Sequence, residues 1–90
     1  MVKGTTGTGF KFEVNEKMLQ NVEFLEDFYK VQHGDGLGVF PILDKLLGEE
    51  QKKALYDHIR DKDGIVNVED LTHQLEDIFA ALTEASETKN

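Results

Sequence analysis

Ninety residues with a hydrophobic share of 39% and a formal charge of −8 describe one small acidic domain with a modest core. The charge leaves no basic stripe for a phosphate backbone, which excludes nucleic acid, and no apolar run approaches about 18 residues, which excludes a membrane span. Without cysteine there is neither a disulfide framework nor a thiolate zinc site, and the acidity favours basic or apolar partners.

Residues 1–9 are rich in Gly and Thr and are expected to form a flexible tail. Gly4, Gly7 and Gly9 lack the preceding strand and the Lys-Ser/Thr step of a phosphate loop. There is no signal-peptide apolar region after Met1, so a cytoplasmic protein is expected. Phe10 to Val14 alternates apolar and polar residues, placing Phe10, Phe12 and Val14 on one side of an extended arm. Such an arm either lies across the helices or pairs with a second copy, the first being simpler.

Asn15 is a cap for a helix running from about Met18 to Gln32. Met18, Val22, Leu25 and Tyr29 form one stripe on it. Phe24, Phe28 and Val31, at i, i+4 and i+7, form a second apolar edge. Two edges mean that the helix is contacted on both sides, or that one edge is left for a partner; burial is the simpler reading of an aromatic stripe. His33 to Gly38 reads as a turn. A short helix follows from about Pro41, with Ile42, Leu43, Leu46 and Leu47 inward and Gly48 as its stop.

The chain from Leu46 to Leu82 reads as a helix–loop–helix hinged at Asp61-Lys62-Asp63-Gly64. Its first helix spans Glu49 to Arg60. Its second is capped by Asn67 and carries Val68, Leu71, Leu75, Ile78 and Leu82 as a heptad-like seam. Residues 83–90 lose this period and are expected to fray. The fold class is therefore all-α: a compact bundle of about four helices over residues 10–82, with a short extended N-terminal arm.

The hinge resembles a calcium loop. With Gly64 at the sixth position, Asp61, Asp63, Asn67 and Asp70 fall at ligand positions, but the first position is Ile59, which has no side-chain oxygen. An Asp-Gly turn followed by an N-cap accounts for the same residues, and no metal is expected. His73 stands one turn from Glu69 and from Asp77, a spacing that ordinary charge pairing on an exposed face also gives. The single serine, Ser86, lies in the tail, so no nucleophilic triad is available, and an acyl carrier would need an Asp-Ser-Leu site. Neither catalysis nor a cofactor is expected.

The aromatic arm Phe10-Lys11-Phe12-Glu13-Val14, the Leu46-Leu47-Gly48-Glu49-Glu50-Gln51 junction, the Arg60-Asp61-Lys62-Asp63-Gly64 turn and the amphipathic helix after Val68 resemble one family. It is that of the small tail assembly chaperones of long-tailed bacteriophages, particularly those of Gram-positive hosts. The resemblance covers roughly residues 10–82. It implies a non-enzymatic protein of the host cytoplasm that coats the helical tape-measure protein and keeps it soluble. It also implies recruitment of tail-tube subunits and departure before the virion matures. Phe24, Phe28 and Val31 form one candidate strip for such a client. Leu75, Phe79 and Leu82 form a second strip or a self-association seam. The alternative reading is a degenerate EF-hand-like adaptor with a weak or lost calcium site.

Overall fold

The ring of Phe12 covers a glycine on a neighbouring strand. Val2–Thr5 (β1) and Lys11–Val14 (β2) pair antiparallel, with Val2 opposite Val14 and Gly4 opposite Phe12. A Cβ on Gly4 would lie 2.6 Å from Phe12 Cζ, so the ring needs a residue without a side chain beneath it. Between the strands, Thr6 N–H donates to the Phe10 carbonyl at 2.9 Å, and Phe10 N–H donates to Thr6 Oγ1 at 3.1 Å. The computed structural model, which describes residues 1–87, thus corrects two expectations. Residues 2–5 are a strand instead of part of a flexible tail, and the fold is mostly helical with a hairpin, not all-α. The arm finds its partner strand within its own chain. Its alternation holds, with Phe10, Phe12 and Val14 all buried.

The first helix also departs from expectation. Asn15 caps a 3-10 turn, Glu16–Gln20, and Asn21 then interrupts the run. Asn21 Oδ1 accepts from the Glu23 and Phe24 amides at 2.9 and 3.4 Å, starting a new helix, α1, Val22–Gln32. Of its two apolar edges, the aromatic one turns inward, as the burial reading has it, and the other does not. Phe24 is fully buried and Phe28 and Val31 pack on the core, while Val22, Leu25 and Tyr29 are exposed. The reason is tertiary: the Phe79 ring meets Phe28 edge-on at 5.2 Å and Phe24 at 6.1 Å.

A 3-10 turn at Gly36–Gly38, capped by Asp35 Oδ1, leads into α2, Val39–Ile59. Gly38 lies tight against α1: a Cβ there would meet Val31 Cγ2 at 3.0 Å and the Asp27 carbonyl at 3.1 Å. Pro41 falls in the first turn of α2, where its missing N–H costs nothing, so the helix starts two residues earlier than expected. Gly48 takes φ 75° and ψ 172°, a region essentially restricted to glycine, and bends α2 into two arms. The two helices expected on either side of Gly48 are both present, joined without a loop at this non-helical residue as one kinked element. With α3, Val68–Glu87, the described residues hold three α-helices, not four.

Side chains brace the bend. Lys52 donates to Asp44 across it, and Gln51 Nε2 donates to the freed Leu47 carbonyl at 2.9 Å. The same Gln51 amide also grips the backbone of β2, accepting from Glu13 N–H at 2.7 Å and donating to the Glu13 carbonyl at 2.8 Å. α1 is tied to α2 by Lys45, whose ammonium donates to the buried Asp27 carboxylate. That hydrogen bond, with the Coulombic pull of Asp27, holds the Lys45 ammonium above the usual lysine range against a smaller desolvation penalty.

α3 is capped by Asn67, whose Oδ1 accepts from the Glu69 and Asp70 amides at 2.8 and 3.4 Å. Leu71, Leu75, Ile78 and Leu82 of the expected seam are buried, but Val68 is 77% exposed. The helix continues through Glu87, five residues beyond the expected fraying point at Leu82; the remainder of that expected tail, 88–90, lies outside the described residues. Val14, Phe24, Leu43, Leu55, Ile78 and Leu82 are the largest fully buried side chains, so hairpin and helices share one core. Burying each such side chain contributes about 1.5–3 kcal/mol.

Candidate functional site

At one edge of this core its apolar residues open into a groove between α1, the start of α2 and α3. Its volume is about 340 Å³. Phe28 and Val31 supply the α1 wall, Val39 and Ile42 the α2 wall, and Leu71, Leu75 and Phe79 the α3 wall. Helical spacing puts them there: i and i+3 on α1 share a face, as do i, i+4 and i+8 on α3. The edge-to-face contact of Phe28 with Phe79 floors one end; exposed Val68 and Gly36 border the groove as well. Thr72 also lines it, but its hydroxyl donates to the Val68 carbonyl at 2.9 Å. Glu76 is the one charged residue of the lining, and its carboxylate lies 3.6 Å from His73 Nδ1.

Four of the six candidate residues, Phe28, Val31, Leu75 and Phe79, are brought together in this groove. Phe24 and Leu82 are not; both are fully buried, with Phe24 beneath Phe79. Val39 and Val68 are groove residues that sequence reasoning did not single out as sites. Ile42 and Leu71 were legible only as inward-facing. Val22, Leu25 and Tyr29 form a separate exposed stripe on α1, where Tyr29 stacks on His33 with ring centroids 3.9 Å apart.

The other candidate chemistry is absorbed by structure. In the acidic hinge, Asp61 Oδ1 accepts from the Asp63 and Ile65 amides at 2.8 and 3.0 Å. Arg60 donates to the Gly64 carbonyl at 2.9 Å and its backbone bridges to Val66, so the loop closes on itself. Gly64, at φ 82°, takes the left-handed turn position. Among the described residues, no group of three or more His, Asp or Glu side chains is placed to hold a metal ion.

His73 pairs with Glu76 in place of the expected Glu69 and Asp77. Asp77 instead accepts from Gly7 N–H at 2.9 Å, and Gln74 Nε2 donates to Thr8 Oγ1 at 2.7 Å. Thr8 Oγ1 also lies 3.0 Å from His58 Nε2, so the hairpin turn is clamped between α2 and α3. Beside the apolar groove walled by helices there are two more polar clefts, one over the hairpin at Lys3, Lys11, Glu13 and Gln51 and one at Thr8, His58, Asp70 and His73. No protein-family model matches the chain, and neither a curated protein nor a solved structure does.

Proposed function

We propose that this protein is a tail assembly chaperone of a long-tailed bacteriophage, and that its groove holds an apolar strip of the tape-measure protein. The open groove between α1, α2 and α3 carries this reading. A long helical client with exposed apolar rows needs a partner that covers those rows without itself aggregating. Phe28, Val31, Leu75 and Phe79 supply the cover, and a net charge of −8 keeps free copies apart. Binding of this kind needs no catalysis, cofactor or metal. Recruitment of tail-tube subunits, action in the host cytoplasm and absence from the mature virion belong to the same proposal.

The test is co-expression with a tape-measure fragment from the same gene cluster, read by solubility and co-purification. Wild type is expected to hold the fragment in solution. Thr72→Lys places a long cation in the groove at an exposed helical position, where stability should stay within about 0.5 kcal/mol. It is expected to abolish co-purification, whereas Leu25→Asp on the outer face of α1 is expected to retain it. A fragment that precipitates with wild type present, or binds both variants equally, refutes the proposal.

A further inference from the structure

We infer that the groove is built for a single amphipathic helix of about three turns whose flanks carry lysine or arginine. The inference rests on the groove being the client site and adds the conformation and charge of what enters it.

Conformation follows from what the walls offer. The walls are mainly helix faces, which present side chains and no open strand edge, and the Thr72 hydroxyl is used on Val68. An extended segment laid here would leave its own N–H and C=O groups without partners, whereas a helix satisfies them itself. Length follows from α3. From Val68 to Phe79 the helix rises by about 17 Å, which matches about 11 residues of a second helix with anchors near i, i+4, i+7 and i+11.

Charge follows from the rims. Along the groove α3 carries neither Lys nor Arg, and Glu69, one turn before Thr72 and two before Glu76, shares the groove side, whereas Asp70 and Asp77 lie on the hairpin flank. Glu76 stands in the lining itself with its side chain 67% exposed. On α1, Glu23, Glu26 and Asp27 gather about the Lys45 ammonium, so the acids offered to the groove are those of α3. A cationic flank lying against these carboxylates is attracted, an anionic one repelled. A second copy of this acidic chain is the wrong sign for the site, although its helices have the right shape.

The probes are two labelled synthetic helices of about 14 residues. They share leucine anchors and differ only in having Lys or Glu at the flanking positions. Binding to the full-length protein is followed by fluorescence anisotropy at low and high salt. The Lys helix is expected to bind about tenfold or more tightly than the Glu helix, with the ratio shrinking in salt and in Glu76→Gln. Thr72→Lys is expected to abolish binding of the Lys helix while the far-UV circular dichroism is unchanged. Equal binding of the two helices, or binding indifferent to Thr72→Lys, overturns the inference. If neither helix binds while the tape-measure fragment still co-purifies, the inference fails and the chaperone reading stands. If the Lys helix binds but the fragment does not, the inference stands and the groove serves a different cationic helix.

Discussion

On one flank of α3, Gln74 and Asp77 reach the hairpin turn at Thr8 and Gly7; on the other, Val68, Thr72 and Glu76 line an open groove. The hairpin flank is fixed by directional bonds between groups far apart in the chain. The groove flank is made mainly of apolar surface, whose interactions are non-directional. One helix thus serves as a closed joint on one side and a contact surface on the other. The difference lies in which residues stand at each rotational position. Gln74 and Asp77 point to a polar turn, whereas Leu71, Leu75 and Phe79 point to nothing that needs a hydrogen bond.

The two flanks should fail separately, except where they share the core. Phe24→Ala removes the support beneath Phe79 and is expected to cost about 3–5 kcal/mol in urea unfolding, lowering groove binding as well. Gly48→Ala forces a side chain into the glycine-only conformation at the bend of α2 and should cost about 1–3 kcal/mol. It displaces the arm bearing Gln51 and His58, so amide exchange should rise at Glu13 and in the hairpin turn more than along α1.

Asp77→Ala loses one bond to Gly7 and should cost about 0.5–1.5 kcal/mol. It leaves groove affinity unchanged while the Gly7 amide exchanges faster; a loss of client binding in this variant would show that the flanks are coupled.

The smallest effect concerns the Lys45–Asp27 pair. Because the folded Lys45 pKa is raised, its contribution is fully present below the unfolded lysine value of about 10.4 and is lost as pH rises through the folded value. Thermal melts of wild type should therefore decline above that pH more steeply than those of Lys45→Met. Parallel declines would show that the pair does not secure α1 to α2.

How much of this was legible in the sequence depended on whether the deciding contact was local. The Gly48 bend, the Asn67 cap and the buried Leu71, Leu75, Ile78 and Leu82 are set by residues within a turn or two, and each could be read directly. β1 could not, since Val2-Lys3-Gly4-Thr5 has no apolar alternation and becomes a strand because Gly4 admits the Phe12 ring. Asn21 looked like an interior helical residue, yet its side chain competes with the helix and starts a new one. α1 has two apolar edges of similar local merit, and the choice between them is made by Phe79 more than fifty positions away. The groove was half legible for the same reason: its α1 and α3 rows are periodic, but that they stand opposite each other is a property of the packing.

The grip of Gln51 on Glu13 has a consequence for crowding. A side-chain amide presents the same donor and acceptor as a peptide unit, so Gln51 occupies the rung where a third strand would join β2. Open strand edges brought together at high concentration template cross-β growth. With that rung filled, the Glu13 backbone groups are not free to pair with a further strand.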